Sequence, residues 1–227
     1  MSCSTRPHSP LFLPPHSGAL FAPGRPRLFD VCTAEDAAAL GGRLPGSLRR
    51  DHRAVESDGA VVIACHRGLK LSQGAAALLQ GRGAPAVALD GGLVGWVAAG
   101  LPLLKDTALA PSGRYVCPRE PFATAALLSW VIHRLLPPES TLIAVDSAQM
   151  VAVAERFDAR PLADPDAVLV GFGLSMKPLH DVAMDATRTD GSLARALRGV
   201  ALIHGDDARG HRAAAPLLDA ALMGAMA

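Results

Sequence analysis

Short apolar runs, separated by polar and glycine-containing connections, set the pattern of the first hundred residues. RLFDVC (27–32) reads as a short buried strand. Thr33 then stands as an N-cap, with Asp36 three residues on as a capping-box partner, for a helix through Ala39. GGRLPGSLRRD (41–51) is a loop. AVVIA (60–64) is continuously apolar and holds β-branched residues, as a central parallel strand covered on both faces requires. SQGAAALLQGRG (72–83) predicts a helix that starts near Ser72 and stops at Gly81 or Gly83. AVAL (86–89) is the next strand, DGG a turn and LVGWVAAG (93–100) a short helix. This alternation predicts an α/β fold, an open parallel sheet flanked by helices.

The pattern then lapses. KDTALAPSGRYVCPREP (105–121) holds Pro and Gly without a period, and residues 105–119 are expected to link two domains, 25–104 and 120–227. In the second, EPFATAALLSWVIHRLL (120–136) reads as a buried helix stopped by Pro137 and Pro138. TLIAV (141–145) is a strand, AQMVAVAERF (148–157) an amphipathic helix, and Arg160–Leu162 follows it. AVLVGFG (167–173) fits a strand or a turn of buried helix. The chain from Pro178 to Ala227 is mostly helical, broken at HGDDARGH (204–211). The expectation is a mostly helical α/β second domain. The first 24 residues, rich in Pro and polar residues, read as a flexible arm.

Composition narrows the function classes. Half of the residues are hydrophobic and only 4% aromatic, so the core must be aliphatic. A net charge of +1 gives no global basic field, and nucleic acid is not an expected partner. No apolar run approaches the roughly 20 residues that span a bilayer, so no membrane partner is expected. The apolar pieces of the N-terminus are too short and interrupted for a signal peptide, which points to the cytoplasm. The four cysteines, Cys3, Cys32, Cys65 and Cys117, form no CxxC pair and no zinc-like spacing with histidine. No metal or cofactor is expected from them. His204, Asp206, Asp207 and His211 are a weaker metal candidate, and an Asp/Gly-rich loop between helices is the plainer reading.

The chemistry concentrates in VVIACHRGLKLSQG (61–74). Cys65 follows a strand and precedes a helix, where open α/β sheets place their ligands. The helix N-terminus offers unpaired N–H groups and partial positive charge, which favour thiolate. His66, Arg67 and Lys70 add positive charge, and Gly68 lets the backbone turn its amides toward the sulfur. With Leu69, these residues form a candidate anion-binding loop around a nucleophilic Cys65. The alternative is a structural thiol in a strand–helix turn.

The surrounding spacing resembles a rhodanese domain over roughly residues 27–104. The matching pieces are LFDV (28–31), LPG (44–46), VVIACHRG (61–68) and a G-x-x-x-V-x-L-x-G-G-x-x-x-W-x-x-x-G-x-P run. That run passes through Gly83, Val87, Leu89, Gly91, Gly92, Trp96, Gly100 and Pro102. The resemblance implies a sulfurtransferase that carries a persulfide on Cys65, cradled by the loop amides. Its partners would be a small anionic sulfur donor, or an oxyanion, and a thiol acceptor. The loop departs from the family's C-x-x-G-x-R-S form, with Lys70 for the arginine and Leu71 for the serine. Lysine keeps the charge but lacks the bidentate fork that suits thiosulfate. Cys32 replaces the arginine that usually follows D-V. Related cysteine phosphatases place an arginine six residues after the cysteine, where this chain has Leu71.

WVIHRLLPPESTLIAVDSAQMVAVAERFDARPL (130–162) is similar to the chromate-resistance family, whose members often carry an N-terminal rhodanese domain. Trp130, Arg134, Val145, Ala154, Arg156, Ala159 and Pro161 match its pattern, and Ser72-Gln73 matches a pair that commonly follows its cysteine loop. The family's D-R-I-A-C-P-W segment is here TAALLSW (124–130). The resemblance implies, as an alternative function, a chromate-linked oxyanion or redox sensor without enzymatic turnover.

Overall fold

The computed structural model describes residues 12–13 and 24–226. The rest of the expected arm, including Cys3, lies outside the described residues. In chain order the first half forms β1 (Phe12–Leu13), β2 (Arg27–Asp30), α1 (Ala34–Leu40), β3 (Gly42–Arg43), β4 (Leu48–Arg49), β5 (Val61–Ala64), α2 (Lys70–Gly81), β6 (Ala86–Leu89), α3 (Gly92–Ala98) and β7 (Leu104–Lys105). Five strands make a parallel sheet in the order β1-β6-β5-β2-β4, and β3 pairs antiparallel with β7. The α/β class read from the sequence is the class observed.

Strand periodicity divides the core. Leu28, Val62 and Ala64 face one side of the sheet, while Phe29, Val61, Ile63 and Cys65 face the other, against Ala75, Ala76 and Leu79 of α2. Thr33 caps α1, its Oγ1 accepting from the Asp36 amide at 3.1 Å. The carboxylate of Asp36 does not close the expected capping box but reaches His66.

The second half forms β8 (Arg114–Pro118), α4 (Phe122–Leu135), β9 (Thr141–Val145), α5 (Met150–Phe157), β10 (Arg160–Pro161), α6 (Pro165–Phe172), α7 (Lys177–Thr187), α8 (Ser192–His204) and α9 (Ala208–Met226). The expected linker thus contains β8, the middle strand of a parallel sheet ordered β10-β8-β9. RYVCP has only five residues between a glycine turn and a proline, too short to show a period. Burial of Tyr115, Val116 and Cys117 fixes it nonetheless. AVLVGFG resolves as helix, because Asp164 caps α6 and Pro165 opens it. The break at 204–211 is shorter than expected, only residues 205–207 separating α8 from α9.

One apolar cluster runs through both halves, from Leu28, Leu89 and Trp96 across Tyr115 and α4 to Leu218 and Leu222. α4 is buried on nearly every side, and its Trp130 and Arg134 both bond Asp219 of α9.

Candidate functional site

The first sheet changes winding direction between β2 and β5, since β4 lies to one side of β2 while β5 and β6 lie to the other. Ligands of open α/β sheets gather beyond the strand ends at such a point. Cys65 sits there, one residue past β5, and Cys32 sits beyond β2.

The Cys65 side chain packs with the apolar cluster under α2 and is only 5% exposed. Its Sγ lies 3.1 Å from Ser72 Oγ. α2 begins at Lys70, two residues before the predicted start, and this puts Ser72 on the buried face of the first turn. Ser72 Oγ is also 3.3 Å from the Leu69 carbonyl, a bond it can exchange for one to the sulfur.

The loop between them is shaped by backbone. Gly68 has φ +67°, and a Cβ there would stand 2.6 Å from the Leu89 carbonyl oxygen. Gly92, with φ +59°, is tighter, since a Cβ would fall 2.2 Å from Cys65 O and 2.3 Å from Gly68 N. The two glycines let the cysteine loop lie directly on the turn between β6 and α3. Leu93 and Val94 N–H then donate to the carbonyls of Cys65 and His66, each at 3.0 Å. Gln73 Nε2 donates to the Gly68 carbonyl at 2.9 Å.

These contacts hold the loop by its carbonyls and leave its amides free. No backbone N–H from His66 to Ser72 donates to another described residue, and Leu69, the N-cap of α2, makes no side-chain cap. With Gly68 in the left-handed region and α2 starting after Leu69, these seven amides are donors of the kind that hold an anion. His66 Nδ1 lies 2.8 Å from Asp36 Oδ1. That bond, with the one from Thr33, holds the Asp36 carboxyl below the usual carboxylate range. Arg67, Leu69 and Lys70 are exposed at the rim, so His66 anchors the loop while Arg67 and Lys70 face solvent. Leu71 packs half-buried against the core under α2, so the position where phosphatases carry their arginine holds an inward apolar side chain.

The other thiols are placed apart. Cys32 faces the opposite side of the sheet, where burial, and then Asp30 beside it, push its thiol far up. Asp30 is fully buried, accepts from Cys32 N at 2.9 Å and from Arg49 Nη2 at 2.7 Å. A cavity of about 690 Å³ next to them is lined by Cys32, Thr33, Arg49 and Asp106, and not by Cys65. Cys117 is sealed in β8, and burial pushes it up to about 12. Cys32, Cys65 and Cys117 are all unpaired. His204, Asp206, Asp207 and His211 do not assemble, since no three His, Cys, Asp or Glu side chains among the described residues converge on one point. No described helix is long and apolar enough to cross a membrane.

The sequence pointed to Cys65, His66, Arg67, Gly68, Leu69 and Lys70; of these Cys65 and Gly68 are buried, His66 bonds Asp36, and Arg67, Leu69 and Lys70 face solvent. It missed Ser72 as a sulfur contact, Asp36 as the partner of His66, and Gly92 as the seat of the loop. The DGG turn was the one available signal for the last of these.

No protein-family model matches the chain, and no curated protein matches it. Among solved structures, it is similar to a thiosulfate sulfurtransferase from Pseudomonas aeruginosa at 30% identity, over 40% of this chain and 18% of that one, with a TM-score of 0.33. It is also similar to a protein of unknown function from Rhodopseudomonas palustris, described as a possible tyrosine phosphatase. That match has 24% identity, covers 34% of this chain and 69% of that one, and has a TM-score of 0.31. The chain spans less than a fifth of the sulfurtransferase's length, and both likenesses are partial and weak.

Proposed function

We propose that the chain is a rhodanese-like sulfurtransferase whose Cys65 carries a transferable sulfur as a persulfide. The observation that carries this reading is the set of unpaired amides from His66 to Ser72, opening beside a thiol that meets the Ser72 hydroxyl. The Cys65 thiolate attacks the outer sulfur of a donor such as thiosulfate. The S–S bond of the donor breaks, sulfite leaves with the electron pair, and a persulfide anion remains on Cys65. The amides hold that anion, and Arg67 and Lys70 draw the donor to the rim. An acceptor thiolate, or cyanide in the assay, then attacks the outer persulfide sulfur and restores the Cys65 thiolate. Incubation with thiosulfate and cyanide, read by thiocyanate formation and intact mass, tests the scheme. A gain of one sulfur on the wild type and none on Cys65→Ala is expected. No adduct, or an equal adduct on the variant, refutes it.

A second reading draws on the near-complete burial of Cys65. The same amides would then bind an oxyanion such as chromate without turnover, as a sensor does. Calorimetric titration with chromate, competed by thiosulfate, gives saturable binding and no sulfur adduct in that case.

A further inference from the structure

A second cavity, of about 730 Å³, lies in the other half of the molecule, between α4, the open edge of β9 and the start of α9. Its size is that of a small-molecule site. One wall is apolar, made by Leu142, Ile143 and Ala144 of β9, which are only half-buried, and by Trp130. Facing it are cationic and imidazole groups. Arg119 and Arg212 line the cavity, are exposed, and make no side-chain hydrogen bond or ion pair with a described residue. Arg134 also lines it, already held by Asp219 at 2.7 Å. His133 turns its Nδ1 to the Ser129 carbonyl at 2.7 Å, which leaves Nε2 unengaged.

His211 is the decisive residue. It lines the cavity, is 6% exposed, and its Nε2 is buried without a hydrogen-bond partner. A buried polar atom left unpaired costs free energy, and native sites that keep one have a use for it. Two carboxylates also line the cavity, Asp206 and Asp207. Asp207 is spent on the amides of Arg209 and Gly210. With Arg134 neutralised by Asp219, Arg119 and Arg212 are the two lining arginines without an ion pair to a described residue.

We infer that this cavity binds a small organic monocarboxylate, its apolar body against β9 and Trp130, its carboxylate between Arg119 and Arg212 and within reach of His211. The apolar wall and the volume exceed what an inorganic oxyanion would fill, and the donor set offers a metal cation no cluster of three ligands. The site is separate from the Cys65 loop and does not depend on the function proposed for it.

Benzoate and benzyl alcohol, alike in shape and different in charge, are the probes. Titration of the full chain is followed by the indole N–H resonances of Trp130 and Trp96. Benzoate is expected to shift Trp130 saturably and leave Trp96 in place, with benzyl alcohol binding about tenfold more weakly, a difference of roughly 1.4 kcal/mol. The double variant R119Q/R212Q, altered only at exposed side chains, is expected to lose about that same factor for benzoate and nothing for the alcohol. A Trp130 signal that does not saturate, equal affinity for the two probes, or undiminished benzoate binding by the double variant overturns the inference.

Discussion

At the residue scale, two contacts decide what Cys65 can do. The Ser72 hydroxyl is the one side-chain hydrogen-bonding group found against the sulfur among the described residues. Ser72→Ala removes this contact and is expected to slow iodoacetamide alkylation of Cys65 several-fold at a fixed pH, with Ser72→Thr restoring part of the rate. An unchanged rate would leave Ser72 a packing residue. Gly92 acts through shape instead. Gly92→Ala places a methyl 2.2 Å from the Cys65 carbonyl oxygen at a positive φ, and neither neighbour is a movable side chain. The expected loss is at least about 2 kcal/mol in urea unfolding, with Cys65 becoming more accessible to alkylation as the loop lifts.

At the element scale, the sequence revealed what its period could carry. β5 and β6 are buried on both faces and read as unbroken apolar runs, so the strand ending in Cys65 was visible. β8 was not, because a five-residue strand beginning with Arg and ending in Cys-Pro offers neither alternation nor a run. Ser72 read as the start of a helix because serine favours helix starts, and the structure begins α2 one half-turn earlier. The link between α4 and α9 was beyond any local rule. Asp219 is fully buried and serves Trp130 Nε1 at 2.8 Å and Arg134 at 2.7 Å, across 89 and 85 residues of sequence. Removing one partner of such a pair strands the other, so Asp219→Ala is expected to destabilise the chain by roughly 3–5 kcal/mol. Chemical denaturation measures it, and a change under about 1 kcal/mol would show that Arg134 finds water instead.

At the scale of the whole molecule, pH acts from both sides. Burial holds His211 below its ordinary value, more strongly than Asp207 and Asp206 raise it. The folded state thus binds fewer protons than the unfolded one, and stability is lost as pH falls below about 6.5. Asp36 and Asp207, also held low, extend the loss below about 4, weakly because both are exposed. Cys32 and Cys117 are pushed up, so the unfolded chain ionises first and stability falls again above about 8.5. Urea midpoints are expected to peak between these limits, and His211→Gln should flatten the upper part of the acid limb. The shared core of the two halves further implies one unfolding transition for the described chain, not two.

The seating of the cysteine loop on the β6–α3 turn has a further consequence. Leu93 and Val94 give their N–H protons to the carbonyls of Cys65 and His66 and lie in another helix altogether. Each time the loop lifts, those two protons meet solvent. Their exchange with deuterium therefore clocks the opening of the sulfur site from a distance, without touching the thiol, and a bound anion that fastens the loop should slow both together.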